Sequence, residues 1–342
     1  MTDLIYTRDM LLADHDYHKK HEAAGYHLHG GFDAEGRYQS PRTLHRWPAV
    51  RAWQESLLAA GGTLLNADGR LLQRESYPNP QQQALLLEHG YGRILWNQLT
   101  VTGVIEARGQ ALAQFPCPDF QSIIVEDISR TATGHLHKGL LAAHGMDEGG
   151  DPDQPDIGAH DAMWFAARDA VFGAGAWPAP EIPETIARPE QGREMPGLPV
   201  TFEGLIKLLL NVLMIEVRAE AFFSFCCTVF RESGAFVPEK AALATELVER
   251  IRTDEAIHVA YLRVVISEMR RFTFRLENGE TVAGDKLIDP VWEKLVEWHG
   301  VTVFEENRKR TRENLRLMVA ENGDEQLLEE VDALDSAAWK EP

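Results

Sequence analysis

The sequence predicts an all-α fold: four long helices bundled together and joined by one long crossover, with further helices at both ends. Three observations carry this. From Gln81 to about Gln114 there is no proline, and Leu85, Leu87, Ile94, Leu95, Leu99, Val101, Val104 and Ile105 recur at helical spacing. Residues 201–233 and 238–274 form two more such stretches, separated only by the loop around Gly234 to Pro238. Between the two halves, residues 173–199 carry six prolines and four glycines without any period, which suits a crossover or lid and not a core element.

Residues 1–79 are mixed and punctuated by Gly30-Gly31, Ser40-Pro41 and Gly61-Gly62, with one short helix expected from Trp47 to Ala60. Pro78 and Pro80 prepare the start of the helix over 81–114, and Phe115-Pro116-Cys117-Pro118 ends it. A second long helix is expected over 119–143, then an acidic Gly/Pro loop over 146–157 and a shorter helix over 160–172. After the two long helices at 201–233 and 238–274, Leu276 to Thr281 reads as a turn or small hairpin. Two last helices, 289–321 and 324–338, have heavily charged faces and so a solvated side. The expected division is an N-terminal extension over 1–79, the bundle over 80–275 with its crossover over 146–199, and C-terminal helices over 276–342 packed on the bundle.

Composition narrows the function. With 53 acidic and 34 basic residues the net charge is -19, which argues against nucleic acid and anionic membranes as partners. The most apolar stretch, 205–230, is interrupted by Lys207, Glu216, Arg218 and Glu220, too polar for a lipid-facing span. Cys117, Cys226 and Cys227 do not make a disulfide framework, the N-terminus lacks the pattern of a signal peptide, and a cytoplasmic protein is expected.

Chemistry concentrates in the helices. Ile105-Glu106-Ala107-Arg108 and Ile215-Glu216-Val217-Arg218 repeat one another, and Asp254-Glu255-Ala256-Ile257-His258 contains Glu-x-x-His. Each carboxylate sits in an apolar stretch, where a charge is costly unless it is paired or binds a metal. Positions i and i+3 share a helix face, so Glu255 and His258 can grip one ion. His160 heads an apolar helix and is a further candidate, and Glu220 is either an alternative ligand or a salt-bridge partner of Arg218. At the N-terminus His15, His18, His21, His27 and His29 cluster; the spacing of the first three suits a metal on a surface helix, a solvated segment or a flap over the active site.

Two helical hairpins, a long crossover and this pattern of Glu and Glu-x-x-His resemble the ferritin-like di-iron carboxylate superfamily over roughly residues 80–275. The resemblance implies that two helices each offer a Glu, here Glu106 and Glu216, and that the other two each offer Glu-x-x-His. Glu255 and His258 match on the last helix. The stretch 119–143 departs from the pattern. Setting His137 against His258 puts Gly134 at the Glu position and keeps a suitable 31-residue spacing from Glu106; setting Glu126 against Glu255 puts Ser129 at the His position and suits the turn at Pro116. The spacing favours His137, with Glu126 bonding nearby ligands, while His135 and His144 rank behind them. The resemblance further implies two irons, or iron with manganese, and dioxygen-dependent hydroxylation, desaturation or N-oxidation of a small organic substrate, served by an electron-donor protein. A homodimer stays open. A non-catalytic ferritin-like metal protein and a manganese enzyme that dismutates peroxide are the rival expectations. The crossover and the first 79 residues exceed what iron storage needs and suit a substrate pocket and lid; Trp96, Trp164, Phe222, Phe223 and Tyr261 suit its apolar wall or plain core.

Overall fold

The computed structural model describes residues 4–72, 76–189 and 192–337. In chain order the main elements are α1 (Arg8–Leu12), β1 (Lys19–Ala23), β2 (Tyr26–Phe32), β3 (Tyr38–Gln39), α2 (Arg46–Ala59), α3 (Pro80–Glu88), α4 (Arg93–Gly109), α5 (Leu141–Gly149) and α6 (His160–Phe172). There follow α7 (Val200–Glu232), α8 (Pro238–Arg271), β4 (Thr273–Arg275), β5 (Thr281–Ala283), α9 (Gly284–Glu297), α10 (Val303–Glu321) and α11 (Glu325–Ala337). The fold is mostly helical, and its few strands are short. Among the described residues no helix is long and apolar enough to cross a membrane.

The long hairpin of α7 and α8 is the spine. Pro238 opens α8 at a position whose missing N–H costs nothing, and Arg270 and Arg271 sit favourably in its last turn. Two apolar clusters flank the hairpin. One gathers Leu205 to Val217 of α7 with Tyr261 to Met269 of α8, and adds α2 and α9. The other gathers Phe223 to Phe230 of α7 with Ala244 to Ile251 of α8, and adds Leu95 and Leu99 of α4 and the face of α6 bearing Met163 and Trp164. Glu216 and the pair Glu255/His258 lie at the seam between these clusters.

Several elements differ from the sequence expectation. The stretch 81–114 is two helices: an Asn79/Gln82 capping box starts α3, and Gly90, at φ +85°, ends it before α4 begins. The stretch 119–143 is not a long helix. It holds one-turn 3₁₀ pieces at Phe120–Ser122 and Thr133–His135 and a π turn at Leu136–Leu140, and regular α-helix begins only at Leu141. Gly139, at φ +134°, breaks the ladder there. Helix α5 then runs on to Gly149, into what reads as an acidic loop.

The N-terminal region holds a three-stranded antiparallel sheet, ordered β1-β2-β3, that the sequence reading did not foresee. Its first turn is Ala24-Gly25, both at positive φ, as a two-residue hairpin of right-handed twist requires. A register shift leaves His29 and Gly30 unpaired on β2 between Leu28 and Gly31. Such bulges re-aim side chains, and His29 is turned inward and buried. The predicted hairpin after α8 is present as β4–β5. In the crossover, the described residues of 173–199 form no helix or strand.

Candidate metal centre

Five helices converge at the seam. Glu106 comes from the last turn of α4, His144 and Glu148 from α5, His160 from the first position of α6, Glu216 from α7, and Glu255 and His258 from α8. The approach of α5 to α4 depends on missing side chains. A Cβ on Gly109 would meet Glu148 Cβ at 2.6 Å, one on Gly145 would meet the Ala113 nitrogen at 2.3 Å, and one on Gly149 would meet the Ala107 carbonyl at 2.6 Å. These three glycines let the backbones close until Glu148 lies beside Glu106.

The converging atoms form two overlapping groups that share Glu148, and a third group, His29, His160 and Asp254, shares His160 with the second. In the first, His144 Nε2 lies 3.0 Å from Glu216 Oε1 and 3.3 Å from Glu148 Oε1, and His258 Nδ1 lies 3.1 Å from Glu148 Oε1. In the second, His160 Nδ1 lies 3.0 Å from Glu255 Oε1, 3.8 Å from Glu148 Oε1 and 4.0 Å from Glu106 Oε2. Glu148 belongs to both groups, and Glu255 also reaches across, with Oε2 2.7 Å from His258 Nδ1. The imidazoles of His144 and His258 stack with centroids 3.8 Å apart.

Each imidazole is held from behind by its other nitrogen. His258 Nε2 lies 3.0 Å from Asp147 Oδ2, His160 Nε2 lies 3.3 Å from Asp254 Oδ2, and His144 Nδ1 lies 2.8 Å from Tyr261 Oη. With the outer nitrogens held in this way, the inner nitrogens are the ones that would face a metal, the arrangement by which proteins fix metal-binding histidines. Asp147 is itself clamped by Arg42 and Arg46, both buried.

The electrostatics describe a cluster short of positive charge. Burial raises the Glu106 carboxyl, reinforced by the Glu148 charge, and burial likewise raises Glu216, reinforced by Glu255 and Glu148. Burial also opposes the charge of Glu148, but the closeness of Glu106, His144, His258 and His160 outweighs it and holds Glu148 well below the usual carboxylate range. The same contest raises His160 and His258, where burial is outweighed by Glu255 and the neighbouring carboxylates. Protons thus do the neutralising that a cation would do. Glu148 Oε1 and His160 Nδ1 lack hydrogen-bond partners although both are buried; the 3.0 Å contact of His160 with Glu255 does not have hydrogen-bond geometry. Four carboxylates and three imidazoles in a dry pocket make a donor set for divalent metals of the iron, manganese and zinc type. These buried groups fit a metal ion.

The sequence candidates are placed as follows. Glu106, His160, Glu216, Glu255 and His258 are brought together. His137 is exposed on the π turn and takes no part. Glu126 accepts hydrogen bonds from the Thr273 nitrogen and hydroxyl, beside the short sheet formed by β4 and β5, and is likewise outside the cluster. The choice between His137 and Glu126 therefore falls to neither; His144 and Glu148 stand where α5 meets the seam. A Glu at position 134 has no room, because a Cβ there would meet the Ile128 carbonyl oxygen at 2.1 Å. His135 accepts from the Tyr6 nitrogen and packs on Trp53, a structural role. Glu220 pairs with Arg252, not with Arg218. The expected surface helix of histidines is not formed: His18 is exposed, and His21 lies buried in β1, where it contacts Arg250 and faces the His29 carbonyl. The signal for the missed pair was the i, i+4 spacing of His144 and Glu148, obscured because 146–157 reads as a loop.

Two cavities are open at the surface. One of about 370 Å³ is walled by Tyr26, His27, Gly149, Ala159 and Asp161, whose chain neighbours include Glu148 and His160. The other, about 720 Å³, lies between His89, Arg93, Trp177 and Asp324, and no residue of the metal cluster lines it. Comparison with protein-family models, with curated proteins and with solved structures gives no match to this chain.

Proposed function

We propose that the chain is a ferritin-like dimetal carboxylate oxidoreductase that holds two irons, or iron with manganese, and uses dioxygen to oxidise a small organic substrate. The observation that carries this reading is the shared carboxylate: Glu148 belongs to both groups of donors, one completed by Glu106, His160 and Glu255 and the other by His144, Glu216 and His258. A lone structural ion needs one closed set of ligands, and two sets with a common member suit a pair. Such a pair, when bound and reduced, supplies the electrons for dioxygen reduction. The protein's own residues do the rest. Glu148 and Glu255 each contact imidazoles of both donor groups and would hold the metals together with them, the three imidazoles are oriented from behind, and the two apolar clusters keep bulk water away from the seam.

A small substrate is supported by the cavity beside Gly149 and Ala159, whose volume of about 370 Å³ lies in the range of small-molecule sites. Glu106 is the most exposed cluster member, with its side chain 13% exposed. The buried cysteines Cys226 and Cys227 belong to the second apolar cluster, and none of the seven donors is a thiol.

The test is direct. Protein loaded anaerobically with Fe(II) should take up two equivalents per chain and consume dioxygen on stopped-flow mixing. Two bound irons that fail to oxidise, with and without candidate substrates, would remove the oxidase reading. Oxidation without an organic product would favour iron handling, and peroxide disproportionation by the manganese-loaded protein would favour the dismutating alternative.

A further inference from the structure

Between the two histidines that flank Glu148 and Glu255 lies one guanidinium. Arg42 is buried and sits at φ +52°, a left-handed conformation that non-glycine side chains rarely adopt. The turn is held there by the Arg42 nitrogen donating to Asp14 and by the Arg42 carbonyl accepting from Arg46 Nε at 2.6 Å. From this position Arg42 Nε donates to Asp147 Oδ1 at 2.7 Å, and Arg42 Nη2 lies 3.5 Å from His29 Nδ1.

Both contacts lead to the cluster. Asp147 faces His258 Nε2. His29 Nε2 lies 3.3 Å from Asp254 Oδ2, the oxygen that also faces His160 Nε2 and accepts from the Tyr38 hydroxyl at 2.9 Å. An arginine has donors and no acceptor. A His29 nitrogen facing it must therefore be bare, which puts the His29 proton on Nε2, 3.3 Å from Asp254 Oδ2, a contact that acts by charge and proximity because it does not have hydrogen-bond geometry. Asp254, so supported, accepts from His160 Nε2 and leaves His160 Nδ1 as the nitrogen that would ligate a metal beside Glu106, Glu148 and Glu255. On the other side Asp147, neutralised by Arg42, accepts from His258 Nε2 and leaves Nδ1 as the ligating nitrogen beside Glu148 and Glu216.

We propose that Arg42 is a single positioning residue for both halves of the centre, fixing through Asp147 and through His29 and Asp254 which nitrogen of His258 and of His160 faces the metals. Arg46 touches only Asp147 and the turn itself, so it serves one side. The inference rests on the dimetal reading above.

Equilibrium dialysis with Fe(II) under anaerobic conditions tests it on the full chain. Asp147→Asn and Asp254→Asn should each weaken one of the two equivalents by about 10–100-fold, the usual consequence of removing such a partner. Arg42→Gln should weaken both. Arg42→Lys carries its charge on one nitrogen and cannot span Asp147 and His29, so it should weaken one. In the Zn(II)-loaded protein, histidine nitrogen NMR should show Nε2 protonated on His160 and His258 in the wild type, and a mixed pattern in Arg42→Gln. A folded Arg42→Gln protein that binds two equivalents with wild-type affinity, or loses only one, overturns the proposal. If that variant does not fold, Arg42→Lys decides, and two equivalents at wild-type affinity overturn it. Wild-type protein that takes up no Fe(II) ends the metal reading itself, and this proposal with it.

Discussion

Glu148 carries more of the candidate centre than any other side chain, because it alone belongs to both donor groups. Glu148→Ala should therefore abolish uptake of both metals, whereas His144→Ala should spare the equivalent held by Glu106, His160 and Glu255. His137→Ala and Glu126→Ala should leave uptake unchanged, since one side chain is exposed and the other is engaged with Thr273. Metal analysis of the four purified variants checks this; a His137→Ala protein that loses a metal, or a Glu148→Ala protein that keeps two, contradicts it. Why Glu148 was invisible in the sequence is physical. Glu106, Glu216 and Glu255 each interrupt an apolar run, so their burial can be read from their neighbours. Glu148 stands in Met146-Asp147-Glu148-Gly149-Gly150, which has the composition of a solvated loop. Its burial, at 6% exposure, comes from contacts with α4 that only the three glycines permit.

Helices with one dominant apolar run were legible, and those built on local exceptions were not. Predicted bounds of 201–233, 238–274 and 160–172 fall within a few residues of α7, α8 and α6. The stretch 119–143 has enough apolar residues for a helix, but tertiary bonds claim its backbone: Glu268 of α8 accepts from the Ala132 nitrogen at 3.0 Å, the Thr133 nitrogen at 2.8 Å and the Thr133 hydroxyl at 2.8 Å. This one carboxylate ties α8 to the turn before α5. Burial pushes the Glu268 carboxyl up to about 7, against those hydrogen bonds, which favour the anion. The unfolded chain releases this proton near 4.5, so between about pH 4.5 and 7 the folded state binds more protons than the unfolded one. The contribution of Glu268 is whole below that window and is lost as pH rises through it. Glu268→Gln cannot titrate and strands at least one buried donor, which costs about 1–3 kcal/mol. Urea unfolding should show the variant less stable at pH 4.5, with the gap to wild type narrowing toward pH 7. A gap that widens with pH contradicts the assignment.

At the scale of the whole molecule the centre joins segments far apart in the chain. The seven donors come from α4, α5, α6, α7 and α8, and the groups behind them include His29 and Tyr38 of the N-terminal sheet and Arg42 and Arg46 just after it. The sheet is therefore part of what holds the candidate donors, although residues 1–79 read from sequence as an appended extension or lid. The unfolded chain offers these donors on segments as distant as Glu106 and His258, so metal binding belongs to the folded state alone. Binding to the folded state at 100 times the dissociation constant adds about 2.7 kcal/mol for each site. With an unfolding entropy of about 2.1 cal/mol/K per residue, a chain of 342 residues gains about 1.4 °C per kcal/mol, so two metals should raise the melting temperature by roughly 7–8 °C. Fe(II) or Mn(II) added to the chelator-treated protein should produce this rise, and Glu148→Ala should suppress it, while Glu126→Ala should retain it in full. The reason for the effect is the charge imbalance: without a cation, four buried carboxylates are countered by protons held on His160 and His258 and on Glu106 and Glu216, and a divalent pair would replace that compromise with direct ligation. Equal melting temperatures with chelator and with either metal would mean that the protons suffice, and that the cluster at the seam is a buried polar network and not a metal centre.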